Sequence, residues 1–245
     1  MVYLTGAGPG NLDLLTIKAL RVIKEADVII YDKLINFEIL DEAKSGCRFI
    51  YVGKSRGLHT LPQEQINETI YQEALKHQSV VRLKGGDPLV FGRGSEEALY
   101  LKSRGVEFEF IPGITSAIAA PTYAGIPVTH RGVAVSFRVI TAHESSDKLD
   151  SQIDWDSLRT DETLIFLMGV HRLEQIVTAL MQIGKPSTTP LAIISRATFK
   201  DQNIVVSTLQ ESLNIDTDQI ARPALIVVGE VVRFKKSLAW YRSTP

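Results

Sequence analysis

The stretch "VVRLKGGDPLVFGRGSEE", residues 80–97, decides how the N-terminal half of the chain folds. It begins as an apolar, β-branched run, breaks at two adjacent glycines and an Asp-Pro pair, and ends in a segment rich in glutamate. Gly-Gly and Asp-Pro are frequent in tight turns, and glycines that follow a strand also let a ligand approach the main chain. The stretch therefore predicts a strand, a loop and a helix, and by itself leaves a plain turn and a ligand-binding loop as equal alternatives.

Strand and helix patterns alternate on both sides of this stretch. In the N-terminal half they predict strands at 2–5, 27–31, 48–52, 79–84 and 106–110, and helices at 16–26, 36–43, 62–77 and 95–105. Such alternation with apolar strands indicates a mainly parallel sheet covered by helices. In the C-terminal half they predict strands at 135–142, 162–168, 190–195, 202–208 and 223–232, and a helix at 172–183. The late strands follow one another closely, so the second sheet is expected to be mixed.

A segment rich in Gly, Pro and small residues, "PGITSAIAAPTYAGIPVTHRG" (112–132), separates the two halves and includes a short helix near 115–120. Composition shifts of this kind mark domain junctions. We therefore predict an α/β fold of two domains, residues 1–118 and 119–245.

The composition excludes several classes of protein. The chain of 245 residues is 44% hydrophobic and carries a formal net charge of −1, which is typical of a globular protein and argues against a nucleic-acid partner. No apolar run reaches the roughly 18 residues of a membrane span, and the N-terminal residues do not have the pattern of a signal peptide. Cys47 is the only cysteine and the histidines lack metal-ligand spacing, so we expect no disulfide, no metal and a cytoplasmic protein.

Five predicted strands of the N-terminal half are followed by residues suited to ligand binding. They are "GAGPG" (6–10), Asp32, "GKSRG" (53–57), "GGDP" (85–88) and "PGITS" (112–116). In a parallel α/β sheet these positions share the edge where ligands bind, and their convergence favours a ligand loop over a plain turn for "GGDP". "GAGPG" is a poor dinucleotide fingerprint, because Asn11 stands where a third small residue is needed and Pro9 interrupts the motif.

Charged residues of these loops indicate proton transfer and anion binding. Asp32 and Lys54 are an acid and a base on one edge, a pair suited to moving protons, although singly Asp32 could cap a turn and Lys54 could be a solvated lysine. Five cations could together form a basic pocket for a ligand with many carboxylates, although a charged surface explains any one of them. They are Arg56, Arg82, Lys84, Arg93 and Arg131. The loop histidines His59, His130 and His143 are better explained as hydrogen-bonded residues than as bases.

Several motifs closely resemble those of the uroporphyrinogen-III C-methyltransferases, a group within the tetrapyrrole methyltransferases. They are "GAGPGNLDLLTIKAL", "ADVIIYDKL", "VGK", "VRLKGGDPLVFGRGSEE", "PGITSAIAAPTYAGIPVTHRG", "FLMG" and "RPALIVVGEVV". The resemblance runs from about residue 2 to about residue 235. "GGDPLVFGRG" together with "AGIPVTHRG" is highly specific, whereas "GAGPG" alone is not.

The resemblance implies methyl transfer from S-adenosylmethionine, which leaves S-adenosylhomocysteine, to uroporphyrinogen III. Two transfers would give precorrin-2, for siroheme or cobalamin biosynthesis. It places cofactor contacts on Pro9, Gly85, Gly86, Asp87, Val90, Thr115, Ser116, Met168, Ala197 and Ala224. It places the proposed proton acceptor and donor on Asp32 and Lys54, and the tetrapyrrole would face Arg56, Arg93, His130 and Arg131.

The resemblance also implies a homodimer whose subunits each have an active-site cleft between two domains, with separate dehydrogenase and chelatase enzymes acting on the product. Two departures from the usual motifs are Ser95, where the family usually has Gly, and Ala142 in "TAH" (141–143), where "TGH" is usual. Neither removes a proposed reacting group.

Three other functions remain as alternatives. A sister methyltransferase acting on a later precorrin would share the cofactor loops and differ in the substrate loops. A nucleotide-dependent oxidoreductase would use "GAGPG", and a tetrapyrrole carrier would bind substrate without transferring a methyl group.

Overall fold

Two compact units make up the chain, Met1–Ser116 and Ala117–Pro245. The computed structural model describes residues 1–53, 62–142 and 153–241. None of the helices in these ranges is both long and apolar enough to cross a membrane.

A five-stranded parallel sheet forms the centre of the first unit, as the alternating pattern predicted. Its elements are β1 (Val2–Gly6), α1 (Ile17–Glu25), β2 (Val28–Tyr31), β3 (Arg48–Tyr51), α2 (Gln63–Ala74), β4 (Val80–Lys84), α3 (Gly94–Lys102) and β5 (Phe108–Ile111). The strand order is β3-β2-β4-β1-β5, and every neighbouring pair is parallel. All five carboxyl ends therefore lie at one edge of the sheet.

The two faces of this sheet are covered by different helices. Val81 and Leu83 of β4 pack with α1 residues such as Ile23, whereas Val80 packs with the other face, which α2 and α3 cover. Because side chains alternate along a strand, Arg82 and Lys84 belong to the same face as Val80. The sheet is thus buried on both sides, as parallel sheets usually are.

Helix boundaries follow local capping chemistry. The Thr16 hydroxyl accepts a hydrogen bond from the Ala19 N–H at 3.1 Å, which starts α1 where the sequence predicted it. The helix predicted at 36–43 is instead a 3₁₀ helix, Phe37–Glu42, whose N-cap Asn36 accepts from the Glu38 N–H at 3.1 Å. Short connecting segments often adopt this tighter form, which residue periodicity does not distinguish from an α-helix.

The second unit contains a mixed sheet, again as predicted. Its elements are α4 (Ser116–Tyr123), β6 (Phe137–Thr141), β7 (Thr163–Leu167), α5 (Leu173–Gln182), β8 (Pro190–Ser195), β9 (Asn203–Thr208), α6 (Leu209–Ser212), β10 (Ala224–Val228) and α7 (Lys235–Leu238). The strand order is β6-β7-β10-β8-β9. Only the β6–β7 pair is parallel among these described strands. Because β10 runs opposite to β7 and β8, its amino end lies beside their carboxyl ends.

Asp27 ties together the amino ends of three neighbouring strands. Its carboxylate accepts from the Lys44 ammonium at 2.7 Å, and from the backbone N–H groups of Ser79 at 2.9 Å and Gln78 at 3.1 Å. The hydrogen bond from Lys44, followed by the one from Ser79, lowers the pKa of the Asp27 carboxyl below its usual range. The ionised form is therefore bound more tightly in the folded chain than in the unfolded one.

We predict that Asp27→Asn lowers the free energy of unfolding by about 1 kcal/mol at neutral pH. A lowered native pKa gives stability that is complete above the unfolded value of about 3.9 and disappears as the pH falls through the native value. The difference between parent and variant should therefore shrink as urea unfolding is repeated from about pH 7 to about pH 3. Asp41→Asn, an exposed position, is the control; a pH-independent difference for Asp27→Asn would contradict the prediction.

Candidate active site

The loops that follow β1 and β4 are joined through two glycines. The Gly86 N–H donates to the Gly8 carbonyl at 2.7 Å, and the Gly8 N–H donates to the Gly86 carbonyl at 3.2 Å. Both residues have left-handed φ angles, 71° at Gly8 and 69° at Gly86, which other residues rarely adopt. The paired bonds extend the contact between neighbouring strands beyond the end of the sheet.

A third loop, which follows β5, packs against Gly6 and Gly86. A Cβ on Gly6 would lie 2.5 Å from the Gly86 carbonyl oxygen, and a Cβ on Gly113 would lie closer still. Asp87 joins the loop after β4 to the loop after β5, because its carboxylate accepts from the Leu89 N–H at 2.8 Å and from the Gly113 N–H at 3.1 Å. The glycines of this region are thus required for backbone to approach backbone.

Gly86 differs from its neighbours in what surrounds it. A Cβ on Gly85 would lie 2.8 Å from the Leu34 carbonyl oxygen, so Gly85 faces protein. A Cβ on Gly86 would find nothing nearer than the Thr115 Cα at 3.7 Å and the Ser116 backbone nitrogen at 3.9 Å. A Cβ would therefore fit at Gly86 in ordinary van der Waals contact with Thr115 and Ser116, whereas it would collide with backbone at Gly85.

Asp32 lies at the carboxyl end of β2 and is held from two sides. One carboxylate oxygen accepts from the Leu34 N–H at 3.0 Å, and the other accepts from the Arg82 guanidinium at 3.1 Å. Its side chain remains 23% exposed. The turn-capping explanation from the sequence is correct for one oxygen, and the second oxygen belongs to an ion pair.

Asp32 is connected through Arg82 to a buried cluster of charges. Glu97 Oε1 accepts from Arg82 Nε at 3.1 Å, from the Lys84 ammonium at 2.9 Å and from the Gln63 amide at 3.3 Å. The Glu97 side chain is fully buried. Burial lowers the pKa of the Lys84 ammonium, the Arg82 charge lowers it further, and Glu97 acts in the opposite direction.

The expectation that Arg82 and Lys84 join a basic pocket is wrong. Only 3% of Arg82 and 5% of Lys84 are exposed, and both pair with Glu97 inside the unit. Their positions on the inner face of β4 explain this, because a parallel strand covered on both sides has no exposed face.

The tip of the loop after β4 presents apolar residues and a paired arginine. Leu89, Val90 and Phe91 are all exposed. The Arg93 guanidinium forms two hydrogen bonds to the Glu96 carboxylate, at 2.8 and 2.7 Å. This pairing raises the pKa of Arg93 and lowers the pKa of Glu96.

Left-handed backbone at residues other than glycine occurs only in loops that follow three strands, within the described ranges. These residues are Phe91 and Arg93 after β4, Met168 after β7, and Arg196 and Thr198 after β8. Such conformations cost free energy and are found preferentially at ligand-binding and catalytic sites. The strained backbone thus lies in the loops that carry Val90, Met168 and Ala197, three of the predicted cofactor residues.

In the second unit three predicted cofactor residues share one edge of the sheet. Met168 follows the carboxyl end of β7, Ala197 follows that of β8, and Ala224 begins the antiparallel β10 between them. Met168 is 44% exposed. The loop that carries Ala197 is fixed by Gln202, whose side chain accepts from the Thr198 N–H at 2.9 Å.

The other predicted substrate residues belong to the second unit or lie outside the described ranges. His130 and Arg131 occupy a tight turn before β6, where the His130 ring stacks on Phe234 at 4.2 Å and its Nδ1 lies 2.9 Å from the Arg131 carbonyl oxygen. Lys54 and Arg56, and also His59 and His143, lie outside the described residues. The described ranges contain no group of three or more His, Cys, Asp or Glu side chains placed to hold a metal ion.

Sequence reasoning missed Glu97, and it named Gly113 only as part of "PGITS" (112–116), without a role of its own. A signal for Glu97 was present, because two cations on the buried face of one strand require a buried anion and "GSEE" opens the next helix. Gly113 gave no comparable signal, since its need for a hydrogen in place of a side chain arises from loops that are distant in the sequence.

Known proteins resemble this chain in both sequence and fold. The family model of the tetrapyrrole (corrin/porphyrin) methylases matches residues 1–212. A uroporphyrinogen-III C-methyltransferase from Methanocaldococcus jannaschii is 52% identical over 94% of this chain and 96% of its own length. A siroheme synthase from Chromobacterium violaceum is 45% identical over a match that includes 98% of this chain and 51% of that longer protein.

Among solved structures, the uroporphyrin-III C-methyltransferase from Thermus thermophilus in complex with S-adenosylhomocysteine superposes with a TM-score of 0.82. It is 38% identical, and the match covers 95% of this chain and 98% of that one. A family model that spans most of the chain and a relative that is about half identical over nearly its full length lead to one conclusion. The chain belongs to the tetrapyrrole methylase family.

Proposed function

We propose that the chain transfers methyl groups from S-adenosylmethionine to two carbon atoms of uroporphyrinogen III, giving precorrin-2. The observation that carries the proposal is the 52% identity, over nearly the whole length of both chains, to a uroporphyrinogen-III C-methyltransferase. The product would enter siroheme or cobalamin biosynthesis.

The absence of close backbone contacts at Gly86 supports the proposed cofactor site. A ligand can lie against this backbone, because the space bordered by Thr115 and Ser116 is free of the close contacts found at Gly6, Gly85 and Gly113. S-adenosylmethionine supplies an electrophilic methyl group on a sulfonium. The cofactor residues that we propose are Pro9, Gly85, Gly86, Asp87, Val90, Thr115 and Ser116 in the first unit, and Met168, Ala197 and Ala224 in the second.

Asp87 has a structural part in this proposal. Both of its carboxylate oxygens accept hydrogen bonds from backbone N–H groups. The side chain therefore fixes the loop after β4, which contains Gly86, and joins it to the loop after β5. Its contribution to cofactor binding is therefore to hold the shape of the loop. Well-positioned reactants can lower a barrier by roughly 7–11 kcal/mol, which makes a rigid loop valuable for methyl transfer.

Proton transfer is assigned to Asp32 and Lys54. Methylation of a pyrrole carbon leaves a cationic ring system that must lose a proton, and a positioned base typically contributes about 10²–10⁴ in rate. Asp32 is a partly exposed carboxylate at the carboxyl edge of the sheet, as a proton acceptor requires. Lys54 would protonate or hold a carboxylate of the substrate.

Carboxylates of the substrate are assigned to Arg56, Arg93, His130 and Arg131. Arg93 is exposed, but it is paired with Glu96. A substrate carboxylate would therefore have to displace Glu96 from the Arg93 guanidinium. We further propose a cytoplasmic homodimer whose product is taken onward by separate dehydrogenase and chelatase enzymes.

The first test is product analysis. We expect the purified chain, given uroporphyrinogen III and labelled S-adenosylmethionine, to form a product with the mass of two added methyl groups. Unchanged substrate in the presence of bound cofactor would reject the substrate and leave a sister methyltransferase or a carrier. Stabilisation by NADPH in place of S-adenosylmethionine would favour the oxidoreductase instead.

The second test places a branched side chain at Gly86, beside Thr115 and Ser116. We expect Gly86→Val to fold and to lose the rise in melting temperature that S-adenosylhomocysteine gives the parent. Binding stabilises a protein by RT ln(1 + [L]/Kd), which is about 2.7 kcal/mol at a hundredfold excess over Kd. The measurement is thermal unfolding with and without the ligand.

Gly46→Val is the matched control for backbone strain. Gly46 has a φ of 82°, close to the 69° of Gly86, and a Cβ there would meet no atom within 4 Å. Both variants should lose similar stability without ligand, and only Gly86→Val should lose the shift. A full ligand-induced shift in Gly86→Val would remove Gly86 from the cofactor site.

A further inference from the structure

Arg82 is the centre of a buried hydrogen-bond network that ends at Asp32. Its Nε donates to Glu97 Oε1 at 3.1 Å and its Nη2 donates to Asp32 Oδ2 at 3.1 Å. Its Nη1 donates to the carbonyl oxygens of Leu83 at 2.9 Å and Ile30 at 3.4 Å. All three guanidinium nitrogens are thus engaged, and the group has one orientation.

This network contacts the Asp32 carboxylate from its buried side, because Arg82 is 3% exposed and Asp32 is 23% exposed. Arg82 lies opposite Ile30 in the β2–β4 register, so its side chain reaches along the sheet to the residue just beyond the end of β2. With the Leu34 N–H on the other oxygen, each oxygen of Asp32 keeps one lone pair for another partner. The carboxylate is therefore fixed in place and still able to accept a proton.

Stability alone does not account for so many buried charges. Replacing a buried ion pair by apolar residues is often neutral or stabilising, because taking charges out of water is costly. Here Glu97 receives both Arg82 and Lys84 through Oε1, and its Oε2 is buried with no hydrogen-bond partner among the described residues. One carboxylate thus serves two cations, and Asp32 supplies the second negative charge.

We propose that Arg82 is a positioning residue for the reaction: anchored by Glu97, its guanidinium holds the Asp32 carboxylate in one orientation at the edge of the sheet. This inference rests on the proposed function, since it concerns the group that accepts a proton after methyl transfer. In that reaction the carbon–sulfur bond breaks with its electron pair remaining on sulfur. A pyrrole carbon forms the new bond with its π electrons, and the cationic ring then releases a proton to Asp32.

The test is a double-mutant cycle between Arg82→Gln and Asp32→Asn. We expect Arg82→Gln to lower kcat by about tenfold to a hundredfold, the size of effect that a misplaced group produces, with a smaller change in KM for the tetrapyrrole. In the Asp32→Asn background the same change should lower kcat by less than about twofold, because Arg82 would then have no carboxylate to position.

Two further variants separate positioning from folding. Arg82→Gln leaves Glu97 buried with one fewer donor but still paired with Lys84, so Arg82→Lys, which keeps the buried positive charge, is measured as well. Both variants should keep the melting shift caused by S-adenosylhomocysteine. Arg48→Gln is the matched control, because it also breaks an arginine–glutamate pair between a strand and a helix of this unit, to Glu73 at 3.1 Å, without touching Asp32. It should keep parental kcat.

The outcomes are distinct. A folded Arg82→Gln with kcat within about twofold of the parent overturns the inference and leaves the proposed function intact. An equal fall in kcat in both backgrounds, or failure of both Arg82 variants to fold, makes Arg82 a residue of the core and also overturns it. If the parent itself transfers no methyl group to uroporphyrinogen III, the proposed function fails and the inference fails with it.

Discussion

The close approach of three backbone segments, at Gly6, Gly86 and Gly113, is the constraint on which the first unit depends. A Cβ on Gly6 or Gly113 would collide with the Gly86 carbonyl oxygen. Because β1 lies between β4 and β5 in the sheet, the loops after these strands meet beyond its edge. Their contact determines where Asp87 and the exposed tip at Val90 lie, two of the residues in the proposed cofactor site.

A second constraint is the charge balance among buried residues of β4 and α3. The cations of β4 are enclosed by helices on one face of the sheet, so their charges must be balanced inside the protein. Glu97 balances part of this charge from α3, and Asp32 balances more from the end of β2. The residue expected to handle protons is thus anchored to the sheet by its bond to Arg82, whereas an unpaired loop residue would be free to rotate.

Physical pattern alone went far for the fold and less far for the site. Alternating strands and helices predicted the parallel sheet, and closely spaced late strands predicted the mixed one. The same reasoning assigned Arg82 and Lys84 to a ligand pocket, because a residue's type suggests its chemistry but not which face of a strand the helices cover. It also predicted an α-helix at 36–43, where the chain forms a 3₁₀ helix. Periodicity over six to eight residues fits both forms.

The sequence by itself determined the class of fold, the edge of the sheet that carries the loops and the family, since these depend on local patterns and on motifs such as "GGDPLVFGRG". Tertiary structure decided which groups are partners. The bonds from Gly8 to Gly86, from Asp87 to Gly113 and from Arg82 to Asp32 each join residues that are 26 to 78 positions apart. Hydrogen bonds and charges act over a few ångströms in space, and the distance between such residues is set only when the strands between them have paired.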